Sequence, residues 1–427
     1  MSDGPVPLRL LPQTAAVDVQ GALSIGGCDL LALAASYGTP LFVYDEIHLR
    51  ERCREAVAAF GPDHVVYATK AFLCVAMARL AHEEGLLLDV ATGGELHVAL
   101  AAGLPADRLM LHGNNKSEDE LVQALQAGVR RIIVDSFDEL DRLEALHRLG
   151  LPAPKVHLRI TPGIEAHTHE YIRTGQDDSK FGFGLNSGAA AVAAERALRS
   201  SSVELVGFHA HIGSNVFAVD SFARATQVMV DFARPYGLSE LTVGGGLGVA
   251  YVEAEEAPTL AQWGAAVGRV AAMAGWDAAV LVEPGRSIVA QAGVTLYTVG
   301  TVKEVPGVRT YVAVDGGMSD NPRPVLYGSG YEAFLPRAVG AARPQRVRIV
   351  GKHCESGDVL VHEAQVPADL RVGDVLCTPV TGAYGHSMGS NYNKVTRPAV
   401  VFVRDGEARL VVRRETYDDL LRNDVFD

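Results

Sequence analysis

Residues 108–150 read RLMLHGNNKSEDELVQALQAGVRRIIVDSFDELDRLEALHRLG, and the fold class follows from this stretch. Two aliphatic runs, 108–112 and 131–135, each end on an ionisable residue and each lead into a helical pattern. The first helix opens on a capping box, Ser117-Glu118-Asp119-Glu120, in which the serine oxygen takes the Glu120 amide and the glutamate reaches back to the serine amide. Leu121 and Leu125 follow one turn apart, and Gly128 supplies the stop. A second box, Ser136 with Glu139, opens a helix that carries Leu140, Leu143 and Leu146 on its buried side and ends at Gly150. Working outward, β-branched or aliphatic runs recur at 65–68, 86–91, 155–160, 203–210, 240–243 and 278–283, with helical stretches between them. Eight strands alternating with helices predict an α/β fold, a (β/α)8 TIM-like barrel over residues 46–290. Beyond residue 290 helical periodicity fades, and Val, Thr and Tyr alternate with polar residues at 294–303, 309–314, 346–350, 374–380 and 399–412. Asp405-Gly406 in the last run is a hairpin signal. Residues 291–427 therefore read as a second, mostly antiparallel β-domain, which residues 1–45 join.

Composition narrows the function. The chain has 427 residues, of which 48% are hydrophobic and 21% charged, so a packed core is expected and disorder is not. A net charge of −13 argues against nucleic acid or an anionic membrane surface as partner. Five scattered cysteines without a CxxC pair predict neither a disulfide framework nor structural zinc. The His167-Thr168-His169 pair lacks the i, i+4 helical spacing of a metal motif, so no metal is expected. Residues 1–19 lack a basic segment followed by an apolar run, so no signal peptide is expected and the localisation reads as cytoplasmic.

In a barrel of this type the working residues follow the strands, on the C-terminal face. Those positions hold Lys70, Gly93-Gly94, His112 with Asn114, Asp135, His209 with His211, Gly244-Gly245-Gly246 and Glu283-Pro284-Gly285-Arg286. The glycines after the seventh and eighth strands let backbone N–H groups approach phosphate oxygens, and Arg286 adds a bidentate cation. Lys70, followed by apolar Ala71-Phe72, is expected to stand against an apolar wall that favours a nucleophilic amine. A phosphate cradle, an amine able to condense with an aldehyde, and a carboxylate at Glu283 are what pyridoxal phosphate requires: the carboxylate keeps the ring nitrogen protonated.

Read together, Tyr67-Ala68-Thr69-Lys70, His211-Ile212-Gly213-Ser214, Gly244-Gly245-Gly246-Leu247-Gly248 and Glu283-Pro284-Gly285-Arg286 resemble the barrel-type (fold type III) pyridoxal-phosphate-dependent decarboxylases. More narrowly, the chain is similar to the diaminopimelate decarboxylase family through 165–170 (EAHTHE), 179–182 (SKFG), 315–318 (DGGM), Arg323-Pro324, 354–358 (CESGD) and 390–393 (SNYN). The resemblance implies an alanine-racemase-like two-domain architecture and decarboxylation of meso-2,6-diaminopimelate at its D-centre to L-lysine and CO2. It implies that Lys70 carries the cofactor, that His211 stacks on its ring, and that Ser214, Gly246, Gly285 and Arg286 surround the phosphate. Glu283 would pair with the ring nitrogen. Arg286, Arg323, Tyr327 and Tyr384 would hold substrate carboxylate or cofactor, and Glu355 the distal ammonium. Cys354 would return a proton to the carbon that has lost carbon dioxide; in this family it arrives from the neighbouring subunit, which implies a homodimer. A thiol of ordinary pKa, about 8.5, starts protonated and suits that task. One departure is Asn215, where the family usually has glutamine.

Specificity has its own physical basis. Diaminopimelate offers a second ammonium and carboxylate where ornithine offers only a cation, and Arg323 with Glu355 would satisfy both. Leaving either charge buried without a partner costs roughly 1–3 kcal/mol. A lone cysteine is more often an apolar filler, but the polar neighbours Glu355, Ser356 and Asp358 set Cys354 apart. The rival functions are a family relative acting on ornithine, lysine or a carrier-bound glutamyl group, a cofactor-binding regulatory protein without catalysis, and a serine hydrolase. The last rests on Gly385-His386-Ser387-Met388-Gly389, a GxSxG match that lies in the β-rich half rather than at a strand–helix elbow. Val249 occupies the last glycine position of the run at 244–248, which argues against a nicotinamide fingerprint.

Overall fold

The computed structural model describes residues 7–164 and 178–425. The chain divides into two compact units, one of Met1–Glu51, Val249–Glu256 and Ile288–Asp427, the other of Arg52–Gly248 and Ala257–Ser287.

The second unit is the barrel. Its strands are β1 (Val66–Ala68), β2 (Leu87–Val90), β3 (Leu109–Leu111), β4 (Arg131–Val134), β5 (Lys155–Thr161), β6 (Glu204–His209), β7 (Glu240–Thr242) and β8 (Ala279–Leu281), each pairing in parallel with the next. The ends of this sheet meet: Val65 bridges Val282, and Ala68 N donates to Pro284 O at 3.1 Å. All eight strands expected from the sequence are present.

Helix Glu118–Ala127 carries the full capping box of Ser117 and Glu120 and ends at Gly128 in the left-handed conformation. At Phe137–Arg148 only half of the expected box forms: Ser136 Oγ accepts from Glu139 N at 3.2 Å, but the glutamate does not return to the serine amide. Its Oε2 accepts from Asp135 N at 3.0 Å, and its Oε1 meets Lys116 Nζ at 2.8 Å with both side chains 1% exposed. A fully buried ammonium requires an anion, and that requirement outweighs a cap exposed to solvent.

Strand periodicity of two builds the inside of this unit in layers. Val66, Leu87, Met110, Ile133 and Leu281 pack as one apolar cluster. Two residues further along the same strands, on the same face, stand Asp89, His112, Asp135 and Glu283, each buried. Arg159 in β5 and His209 at the end of β6 are buried as well. The apolar layer thus forms a floor for an ionisable layer at the C-terminal ends of the strands.

The first unit has one large sheet and, near its N-terminus, a small antiparallel sheet of Ala16–Val17, Leu23–Ile25 and Cys28–Asp29, whose strands are not among those expected from the sequence. β9 (Gly293–Val305) spans the large sheet, pairing antiparallel with Leu41–Asp45 and β13 (Val375–Thr378) along its first half and with β10 (Arg309–Val314) along its second. β11 (Gln345–Val350) adds in parallel to β10, and β12 (Val359–Val366) closes that edge antiparallel. β14 (Ala399–Arg404) lies parallel to Leu41–Asp45 and turns back into β15 (Glu407–Val412). The turn between them has Asp405 at φ 52° and Gly406 at φ 82°, both left-handed as a two-residue hairpin demands. Leu41–Asp45 and β12 are additions to the strands expected from the sequence. Every residue of Leu41–Asp45 is buried, so it shows no alternation, and His362-Glu363 interrupts that of β12. No helix among the described residues is long and apolar enough to cross a membrane.

Candidate active site

The barrel brings together Lys70, His211, Ser214, Gly246, Glu283, Gly285 and Arg286, all just past strand ends. Lys70 stands on the turn Thr69–Ala71 directly after β1. Ala71 and Phe72 behind it are fully buried, but the lysine itself is exposed. An apolar wall is therefore not what its amine meets; instead its charge is felt by Asp89, Glu95 and His211. His211 Nδ1 accepts from Gly245 N at 3.2 Å, which places any ring proton on Nε2. Burial, then the Lys70 cation, hold that imidazole well below its usual range, so its ring face is that of a neutral imidazole. Arg286 Nη2 donates to Ser214 Oγ at 2.8 Å, joining the loop after β6 to the one after β8.

Two glycines let these loops close on one another. A Cβ on Gly246, at φ 108°, would sit 2.0 Å from Gly213 O, and one on Gly245 would sit 1.9 Å from Glu283 O. Asn215 has φ 58°, and asparagine enters the left-handed region more readily than glutamine, so the departure from the family residue suits the local backbone.

Glu283 is 6% exposed. Its Oε2 lies 3.0 Å from His209 Nε2 and its Oε1 3.2 Å from His112 Nε2. Burial by itself would raise this carboxyl, but the two imidazoles outweigh it and keep Glu283 an anion. Burial likewise presses His209 down to about 4, so it faces the carboxylate as a neutral donor. His112, also penalised by burial, is nevertheless raised by Asp89 and Glu283. Oε1 of Glu283 is buried and has no aligned hydrogen-bond donor among the described residues. A buried carboxylate oxygen awaiting a donor, a neutral imidazole, a nearby amine and an Arg–Ser pair beside a glycine loop fit pyridoxal phosphate. Three buried donor atoms from His112, His209 and Glu283 lie within 4.8 Å of one another, a grouping that local spacing could not reveal.

The first unit holds Arg323, Tyr327, Cys354, Glu355 and Tyr384. Arg323 opens the short helix Arg323–Tyr327 and is 4% exposed. Its guanidinium donates to Tyr331 OH at 2.7 Å and lies 4.2 Å from the Tyr251 ring centroid. Tyr384 is held at φ 62°, a conformation rare for a bulky residue and frequent at functional sites. Cys354 is exposed, whereas the other four cysteines are buried. Its loop is fixed from below: Cys354 N donates to Asn393 Oδ1 at 3.0 Å, and Asp358 accepts from His353 N at 2.9 Å and Met318 N at 2.7 Å.

The turn before Arg323 is pinned by Asp320, which accepts from Tyr297 OH at 2.6 Å and Gly317 N at 2.8 Å. Burial raises Asp320 from 3.8 to about 7, against the pull of those donors. Between those two values the folded chain keeps a proton that the unfolded chain has lost, so this group's contribution is most favourable below the ordinary carboxylate pKa and declines as pH rises towards 7. The decline amounts to roughly 4 kcal/mol at most. Denaturant unfolding at pH 5 and pH 8 should show wild type losing stability over that interval and Asp320→Asn losing less.

Sequence reasoning passed over Asp89 and Arg159 because they lie within strands rather than after them. For Asp89 the usable signal was its place two positions beyond Leu87 on the same strand face; Arg159 follows His157 in that alternation and carried no such signal. The EAHTHE segment at 165–170 lies outside the described residues. Gly182 of the SKFG segment donates its N–H to Asp135 Oδ1 at 2.5 Å, and Arg159 lies 4.2 Å from the Phe181 ring centroid. Ser387 of the GxSxG match is exposed in an irregular stretch between β13 and β14, so no nucleophile elbow forms there.

A (β/α)8 barrel ending in this constellation defines a pyridoxal-dependent enzyme of the barrel type, and residues 46–290 match the family described as pyridoxal-dependent decarboxylase, pyridoxal binding domain. The chain is 49% identical over 420 residues to diaminopimelate decarboxylase of Bacillus subtilis, covering 95% of each chain. It is 47% identical over 434 residues to the Mycobacterium tuberculosis enzyme of that name, covering 97% of each. The crystal structure of diaminopimelate decarboxylase from M. jannaschii in co-complex with L-lysine superposes with a TM-score of 0.89 at 33% identity, covering 97% of this chain and 98% of that one. The chain belongs to the diaminopimelate decarboxylase family of pyridoxal-dependent decarboxylases.

Proposed function

We propose that the protein removes carbon dioxide from the D-centre of meso-2,6-diaminopimelate and releases L-lysine. The observation that carries this reading is the near-full-length likeness to relatives named for that reaction. Bound pyridoxal phosphate supplies a ring that takes up the electron pair left when the Cα–carboxylate bond breaks. Lys70 would hold the cofactor through its amine. His211 would lie against the ring face, and Glu283 would accept the ring N–H through Oε1, which has no aligned donor among the described residues. Ser214, Gly246, Gly285 and Arg286 would surround the phosphate, and Tyr384 would also hold the cofactor.

Arg323, with Arg286, Tyr327 and Tyr384, binds substrate carboxylate, and Glu355 binds the distal ammonium. A guanidinium already enclosed by two tyrosine rings loses little further hydration on binding an anion, which supports Arg323 as the carboxylate reader. Cys354 donates the proton that replaces carbon dioxide, and its exposure in a single chain suits a thiol delivered to a second copy. The working form is accordingly a homodimer with shared active sites, located in the cytoplasm, with residues 46–290 as the cofactor-binding domain and 1–45 with 291–427 as the β-domain.

Amino-acid analysis of reactions with meso-diaminopimelate, ornithine, lysine and a carrier-bound glutamyl substrate tests the assignment. Lysine and carbon dioxide should appear in equal amounts from the first alone. Turnover of another member of the panel without lysine from diaminopimelate would overturn it.

A further inference from the structure

The ionisable layer contains two histidines to which the proposed reaction gives no part. His209, at the end of β6, is 1% exposed, and His112, just after β3, is 7% exposed. Their rings stand edge to face, with centroids 5.1 Å apart and planes at 76°. Each addresses a different oxygen of Glu283: His209 Nε2 meets Oε2 at 3.0 Å, and His112 Nε2 approaches Oε1 at 3.2 Å. His112 Nε2 is also 3.8 Å from Asp89 Oδ1.

We propose that His112 and His209 are positioning residues for Glu283, two imidazoles from separate strands that fix its carboxylate in one rotation and leave an Oε1 lone pair for the ring nitrogen of the cofactor. This rests on reading Glu283 as the partner of that nitrogen. A carboxylate on a flexible stem can swing about its last torsion, and an acceptor that must meet one in-plane N–H works only in a narrow range of rotations. Holding Oε2 with an aligned hydrogen bond removes that freedom. Oε1 has room for a second contact because each carboxylate oxygen accepts in two directions, and the approach of His112 lacks the alignment of a full hydrogen bond. The charge balance agrees: Asp89, Asp135, Arg159, His157 and His211 are the other ionisable groups that interact with this set, and among them Asp89 supports a cationic His112. An anion kept at Glu283 is what holds the ring nitrogen protonated.

The test uses the full-length protein loaded with pyridoxal phosphate carrying 15N in its ring, observed by 15N NMR at neutral pH. Wild type should give a resonance in the protonated range. His112→Leu and His209→Leu should each move it towards the unprotonated range and lower cofactor affinity in equilibrium dialysis about tenfold or more. His209→Gln, whose amide can still donate to Glu283, should keep the wild-type resonance. Where a leucine variant fails to fold, His112→Asn and His209→Asn carry the same comparison. The proposal is overturned if folded, loaded histidine variants keep the wild-type resonance while Glu283→Gln shifts it. If Glu283→Gln also leaves the resonance in place, Glu283 is not the partner of the ring nitrogen, and the underlying reading falls with the proposal.

Discussion

Lys70→Ala is expected to lower carbon dioxide release from diaminopimelate by about 10^4-fold or more, because the chain then lacks the amine proposed to hold the cofactor. The variant should fold as wild type does. The side chain is exposed on a short turn, and the buried groups around it, Thr69, Ala71 and Phe72, are untouched. Borohydride treatment of wild type should fix the cofactor chromophore on the peptide containing Lys70, and treatment of the alanine variant should leave every peptide unlabelled. A variant retaining more than about a hundredth of wild-type turnover would remove Lys70 from its assigned place.

The second large effect is expected at Cys354. Replacement by alanine should lower kcat by about 10^2- to 10^4-fold, the range for loss of a general acid, with the cofactor spectrum unchanged. The loop backbone is held by Asn393 and Asp358 rather than by the thiol, so it should keep its shape. If the thiol serves a neighbouring copy, mixing Lys70→Ala with Cys354→Ala chains under exchange should restore activity. Random pairing makes half of the dimers mixed, each with one complete site, so recovery should approach about one quarter of wild type. Unchanged turnover in Cys354→Ala would exclude the thiol as donor, and absence of recovery from two exchanging variants would exclude the shared site.

Much of the barrel was legible along the chain because its signals are local. Period-two apolar runs, capping serines and a stopping glycine depend on neighbours a few residues away, and so the strands and the Ser117 box stand where expected. Legibility failed where a long-range partner overrode a local preference. Glu139 is placed by its spacing to close a cap on Ser136, and it does not, because Lys116 is buried against it. Leu41–Asp45 gave no alternation to read because both its faces are covered. In the site, Lys70, His211, Gly246, Glu283 and Arg286 were visible as glycine and ionisable residues following strands. Asp89 and Arg159 were hidden by lying inside them.

By itself the order of residues determined the number of barrel strands, the end of the barrel that would carry chemistry, and the kinds of side chain available there. Those properties follow from backbone periodicity, which each segment expresses on its own. Only the folded chain decided which of those side chains meet. His209 and Glu283 are 74 positions apart in the chain yet share a hydrogen bond. Nothing in either segment specifies the other; the encounter exists because the strands line up side by side and bring every second residue of each to a common interior, where an anion without a partner would be too costly to keep.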